Sequence, residues 1–307
     1  MKRITALLLA LLCLVPLTPA VATPDPNISV LNEGEIPPTP AGMKHYLLVC
    51  LDKWVEDFGN SDGMVLLSLD ETSGRVIITS LVRDMLVQRP NNRYGKLTGV
   101  TKDYGIEGLI ETISRHFGIK IDKYILMGWK QVQTIVDAAG GVDLEVTNAE
   151  ANYLRRYAIS PTSTSPRMYR AGMYHFKGHA AVIYMRIRNV PALNGDTYDF
   201  GRTFRARYVL STIAKSLSDI SYEKARALLD AVSQNILKTN LSLYEMLETF
   251  NVAFTLRASP VEQFRLPVKG SYKPFTYGES KTQLVDFEMN REALWEFLFE
   301  NVFVVSE

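Results

Sequence analysis

Three apolar runs of strand length stand close together near the start of the chain: Lys44 to Leu51 (KHYLLVCL), Gly63 to Asp70 (GMVLLSLD) and Gly74 to Leu81 (GRVIITSL). Each is close to continuous Val, Ile and Leu, the pattern of strands covered on both faces. Only Glu71, Thr72 and Ser73 separate the second from the third, a link of hairpin size. A chain with such a centre must lay other elements over both sides of a sheet. The later sequence supplies them. Ile106, Leu109, Ile110, Ile113 and Phe117 recur at helical spacing, Asp122 to Gly128 reads as a strand, and Trp129, Val132, Ile135, Val136 and Ala139 form a second amphipathic helix stopped by Gly140-Gly141. Val142 to Val146 alternates as a strand. Strands alternating with helices predict an α/β core.

Beyond this core the reading is coarser. Thr147 to Arg170 reads as irregular, Gly178 to Arg186 as helical, Asn189 to Asp199 as a loop and Arg202 to Ser218 as a long helix. Tyr222 to Leu237 reads as a further helix, and Ser242 to Glu245 has the capping-box pattern that opens another. Phe264, Leu266 and Val268 alternate as a strand, and Asn290 is the expected cap of a final helix. No internal repeat or change of composition divides the chain, so one domain is expected over residues 42–307.

The N-terminus has a different character. Lys2 and Arg3 precede an apolar run from Ile4 to Leu17, and Ala20-Val21-Ala22 fits a cleavage site. That is the layout of a secretory signal peptide over residues 1–22, with a short membrane anchor as the alternative. Residues 23–41 read as a Pro-rich linker. Either leader places the body outside the cytoplasm, secreted or membrane-associated. Export, together with 34 Lys and Arg against 33 Asp and Glu, disfavours a nucleic-acid partner.

Against that near-neutral background, Met185 to Arg207 carries Arg186, Arg188, Arg202, Arg205 and Arg207. Such a run is either a solvated helix face or a localised anion site. Arg202 and Arg205 fall near an expected helix start, where cations oppose the helix dipole. A phosphate there would satisfy both side chains and the free N–H groups. Arg83 follows the third strand and could join them. Asp52 ends the first strand and Asp62 precedes the second, so both can meet on one rim of the sheet. They are either turn-forming residues or a pair suited to a hard cation such as Mg²⁺.

Several segments resemble the LytR-CpsA-Psr family of extracytoplasmic glycopolymer transferases. They are SDGMVLLSLD (Ser61–Asp70), ITSLVRDMLV (Ile78–Val87), YGKLTGVTKDYG (Tyr94–Gly105), AAGGVDLEV (Ala138–Val146), AVIYMRIRN (Ala181–Asn189) and DFGRTFRAR (Asp199–Arg207). The resemblance implies a three-layer α/β/α fold with a mixed central sheet flanked by helices. It implies transfer of a polyprenyl-diphosphate-linked glycan, teichoic acid-like or capsule-like, to a peptidoglycan acceptor at the membrane surface. By matched position, Asp52 and Asp62 would hold Mg²⁺. Arg83, Arg186, Arg188 and Arg202 would clamp phosphate oxygens with Lys96 as a helper, and the lipid tail would lie in an apolar tunnel between sheet and helices. Competing readings are a polyprenyl diphosphate hydrolase and a non-catalytic surface protein that binds lipid or polymer phosphate. The chain departs from the family pattern at Lys53-Trp54, at Gly63 and at Ala206, and its loop from Val190 to Tyr198 is long.

Overall fold

A computed structural model describes residues 26–53, 59–157, 168 and 170–299. The expected leader and Trp54 lie outside these residues. Six strands form the central sheet: β1 (Met43–Leu51), β2 (Ser61–Asp70), β3 (Arg75–Leu81), β6 (Lys123–Gly128), β9 (Lys238–Thr239) and β10 (Val261–Leu266). Their spatial order is β10-β3-β2-β1-β6-β9. The β2–β3 hairpin anticipated from the short Glu71–Ser73 link is present, with Asp70 opposite Arg75. Strand β1 runs antiparallel to β2 and parallel to β6, so the sheet is mixed.

Alternation along the strands sorts side chains to two faces. Leu47, Val49, Leu51, Met64, Leu66 and Leu81 point to one, where helices α1 (Val100–Phe117) and α8 (Phe287–Phe299) cover them. Gly105, at φ +70°, kinks α1 as only glycine does without strain. Leu48, Val65, Leu67, Leu69, Val76 and Ile78 point to the other face, under α5 (Tyr198–Ser216), α6 (Tyr222–Ser233) and α7 (Leu243–Thr255). The result is the three-layer α/β/α arrangement. A second apolar cluster joins α2 (Trp129–Ala138), α3 (Asn148–Tyr157) and α4 (Gly178–Met185) to the hairpin of β7 (Val142–Val146) and β8 (Gly172–Phe176). Two further hairpins, β4–β5 (Leu86–Gln88, Tyr94–Lys96) and β11–β12 (Tyr272–Tyr277, Ser280–Val285), lie at the periphery.

Several expectations need correction. Helix α3 occupies part of the stretch read as irregular. Thr147 and Glu150 cap α3 reciprocally, each side chain accepting the other's backbone N–H. Helix α5 begins at Tyr198, four residues before the expected start, because Thr197 is already its N-cap. Helix α6 stops at Ser233, and the chain then enters β9. Asn290 lies inside α8; its Oδ1 accepts from Val268 N at 2.8 Å, and Asp286 caps the helix by accepting from Met289 N at 3.1 Å. Residues 26–36, part of the expected linker, lie on the domain: Leu31 N donates to Arg115 O at 3.0 Å and Ile28 packs on the core.

Candidate active site

The site stands on the rim where β1, β2 and β3 meet. Its first device is a bulge. Cys50 pairs with Gly63 and Leu51 with Ser61, so Asp62 is the one residue of β2 left without a partner across β1. A bulge re-aims a side chain that strict alternation would fix. Asp62 thereby meets Arg83, which follows the end of β3 two residues after Leu81, with Nη1 to Oδ1 at 2.5 Å. Asp62 Oδ2 accepts from Arg202 Nη2 at 3.1 Å.

The second device is Asp199, in the first turn of α5. Its carboxylate is 8 % exposed and takes Arg83 Nε at 2.8 Å, Arg188 Nη2 at 2.8 Å and Arg202 Nη1 at 3.4 Å. Burial works to raise its pKa, but a hydrogen bond from Asp84 and the charges of Arg83 and Arg188 outweigh it and hold it at about 2. Asp84 moves the other way, raised by burial and by Asp199 while Lys96, 3.1 Å away, opposes. Three guanidiniums against two carboxylates leave one net positive charge, and Lys96 adds a second whenever Asp84 holds the proton it shares with Asp199. A site of this balance is pre-arranged for an anion. Its chain geometry is also strained: Tyr198, beside Asp199, has φ +50°, costly for a non-glycine residue.

The sequence candidates divide clearly. Arg83, Arg188, Arg202 and Asp62 form one cluster, with Lys96 reaching it through Asp84. Arg186 and Arg188 are exposed on either side of buried Ile187, and the Arg186 guanidinium lies 5.4 Å over the Trp129 ring. Asp52 uses both oxygens on Asn60, at 2.8 Å to its N–H and 2.9 Å to its side-chain amide, closing the neck of the β1–β2 connection. Arg205 is placed elsewhere. Its side chain is fully buried, paired with the equally buried Glu150 at 2.7 Å and donating to Ile187 O at 2.9 Å and Val190 O at 3.0 Å. With the helix starting at Tyr198, Arg205 falls on the inner side of α5 and braces the segment that carries Arg186 and Arg188. Arg207, the last arginine of the basic run, is buried and donates to Ser80 Oγ; burial first, then Arg265, lowers it to about 10.

Asp199 was in plain view within DFGR, three residues before Arg202, and an acid–base pair at i, i+3 is the signal that marks it. Asp84 had only its adjacency to Arg83.

Behind the cluster lies apolar space. A small cavity of about 100 Å³ is lined by Asp62, Arg83, Asp199 and Arg202 on one side and by Cys50, Met64, Trp129 and Ala206 on another. It shares Leu48, Val65 and Leu210 with a larger cavity of about 410 Å³ between the sheet and helices α5, α6 and α7. That larger space is walled almost wholly by Leu, Ile, Val, Ala and Phe. From Val65 to Leu69 it follows four residues of β2, about 13 Å. The charged cavity and the apolar one are thus neighbours that share a wall.

A model of the LytR_cpsA_psr family matches residues 41–292. The chain belongs to that family. Similar proteins include Biofilm regulatory protein A of Streptococcus mutans, 31 % identical over 60 % of this chain and 45 % of its own length. Another is polyisoprenyl-teichoic acid–peptidoglycan teichoic acid transferase TagV of Bacillus subtilis, 26 % identical over 61 % of this chain and 46 % of its own. The chain thus spans about half the length of these curated relatives. Among solved structures, TagT bound to LIIa-WTA superposes with a TM-score of 0.68 at 20 % identity, covering 86 % of this chain and 92 % of that one. This likeness establishes the family fold.

Proposed function

We propose that the protein is an extracytoplasmic phosphotransferase that moves a polyprenyl-diphosphate-linked glycopolymer onto peptidoglycan. One observation carries the reading: an apolar cavity adjoining a cluster of guanidiniums suits an amphiphile with a long apolar tail and a phosphorylated head. The teichoic acid transferases among the relatives are named for chemistry of that kind.

The prenyl tail lies in the larger cavity, and the diphosphate meets Arg83, Arg188, Arg202 and Arg186. A hydroxyl oxygen of the acceptor attacks the phosphorus that bears the glycan. The bond from that phosphorus to the bridging oxygen breaks, and polyprenyl phosphate leaves with the electron pair. The hydroxyl proton passes to a carboxylate. Asp84, raised by burial and by Asp199, is more basic than Asp199 and can take that proton when ionised. The arginines neutralise charge on the departing phosphate, which is where phosphoryl transfer gains most. Asp199 keeps them aligned before substrate arrives.

Asp52 and Asp62 offer the hard oxygen donors that Mg²⁺ takes, with no soft ligand beside them except the buried thiol of Cys50. Among the described residues no three His, Cys, Asp or Glu group as a metal site, and both oxygens of Asp52 accept from Asn60 while those of Asp62 accept from Arg83 and Arg202, so an ion held by these carboxylates would have to displace those donors. Bound there, it would add charge neutralisation at the diphosphate.

The test is incubation with a polyprenyl diphosphate sugar and a peptidoglycan acceptor. Acceptor-linked product is expected. Free sugar phosphate alone would make the protein a hydrolase, and binding without turnover would make it a carrier.

A further inference from the structure

The end of the molecule opposite the charged cluster has a character of its own. Helix α7 turns Met246, Thr249, Phe250 and Ala253 into the large cavity. Its first turns hold Leu243, 75 % exposed, Tyr244, 71 % exposed, and Leu247, 40 % exposed. These three are neighbours by their i, i+1 and i+4 spacing, and an exposed apolar group of this kind marks a contact surface. The helix start is held firmly: Ser242 accepts from Glu245 N, and Lys123 pairs with Glu245. Asn240 accepts from Tyr124 N at 3.0 Å and donates to Asp122 O at 2.6 Å. A loose segment would hide apolar side chains; this one is built to present them.

Two observations indicate what covers the surface. Leu241 and Met246, flanking the exposed residues, belong to the cavity wall, as do Leu69 and Val76 at the same end of the sheet. The exposed patch therefore continues the lining of the tail site. The described chain begins near the same end. Leu31 donates to Arg115 O and packs beside Gly118, and the chain reaches Asp122 and Lys123, which touch the α7 entry, only a few residues later. From Leu17, the last residue of the apolar run, to Pro26 is nine residues, a reach of at most about 32 Å.

We propose that this end seats on the lipid bilayer, with Leu243, Tyr244 and Leu247 entering the headgroup region. Leucine supplies apolar area, and tyrosine suits the boundary between hydrocarbon and water. The orientation sets the far end of the cavity against the acyl chains, so a prenyl tail longer than the cavity passes into hydrocarbon instead of water. The charged rim then faces away from the membrane, toward the acceptor. The proposal rests on the transferase reading for its purpose, while the surface itself is tested without turnover.

The experiment uses the full chain and vesicles of phosphatidylcholine and phosphatidylglycerol with mid-chain brominated acyl groups. Tyr244→Trp is expected to show quenching beyond that of wild type, whereas Tyr198→Trp, on the opposite rim, shows none. Equal added quenching at both positions, or none at Tyr244→Trp, would overturn the proposal. A second arm compares donors. Leu243→Glu with Leu247→Glu is expected to lower turnover of a vesicle-embedded polyprenyl diphosphate sugar about tenfold and leave a short-chain soluble donor unaffected. An equal effect on both donors, or on neither, counts against docking. Failure of the wild-type protein to turn over either donor would remove the transferase reading instead, and the quenching would still decide the surface.

Discussion

The brace formed by Arg205 and Glu150 allows a sharp test. Both side chains are fully buried and 2.7 Å apart, and Arg205 also serves Ile187 O and Val190 O. Glu150→Gln removes the negative charge but keeps a group able to cap Thr147, so it isolates the ion pair. Breaking a buried pair by removing one partner costs about 3–5 kcal/mol, since the remaining charge stays desolvated. At about 2–4 °C per kcal/mol for a domain of this size, the melting temperature should fall by about 6–20 °C. Glu150→Leu with Arg205→Met removes both charges and should recover part of the loss. Recovery stays incomplete, because two carbonyls are left without donors at about 1–3 kcal/mol each. Thermal melts followed by circular dichroism, with and without a prenyl diphosphate, provide the readout. If Arg205→Met melts within about 1 °C of wild type yet no longer binds diphosphate, the guanidinium faces ligand and the reasoning fails.

Other expectations concern the site, the tail and pH. Asp62→Asn and Arg83→Ala should each lower turnover by about 10²–10³ while the fold persists, as expected for groups aimed at developing charge; near-normal rates would dissolve the proposed cluster. Chelation should abolish turnover and Mg²⁺ restore it, and indifference to chelator would eliminate the metal. Ala214→Trp fills the large cavity and should weaken binding of a long prenyl diphosphate at least tenfold with inorganic diphosphate unchanged, measured by calorimetry; equal losses would place the tail elsewhere. Burial lowers His116 from an ordinary 6.5 to about 4, and its neutral ring accepts from Gln88 N at 3.0 Å while Nδ1 faces Thr112 O at 2.7 Å. The unfolded chain binds that proton first, so this stability is full above pH 6.5 and fades as pH falls toward 4, by about 2 kcal/mol at pH 5. His45, lowered to about 4 chiefly by burial, adds in the same direction. Denaturant melts at pH 7.5 and 5 check this, and a His116→Gln variant should lose part of the difference.

The parts of the structure most legible in sequence are those decided by burial. The strands β1, β2 and β3 were readable because continuous apolar residues have few alternatives once both faces must be covered. Arginine candidates were readable as residue types, but their directions were not. Arg202 and Arg205 look equivalent at i, i+3, and they separate only when the helix start is fixed at Thr197; one then faces the cluster and the other the interior. The TNAE signal of Thr147–Glu150 was present but lost in a stretch with Pro161 and Pro166 downstream. Asp62 was readable as a rim residue, whereas its bulge depends on pairing with β1 and leaves no trace in local sequence.

That bulge has an evolutionary consequence. Because the extra residue sits at the last step of the β1–β2 ladder, everything below it keeps its assignment of inner and outer faces. Exchange of Asp62 for another side chain alters the chemistry offered at the rim and leaves the hydrophobic framework untouched. Loss of the residue altogether is different: the ladder would close in simple alternation, and its rim would have no strand position from which to address Arg83. The scaffold therefore tolerates drift in what is displayed there far better than drift in length, and relatives with altered specificity should differ at this point by substitution, not by deletion.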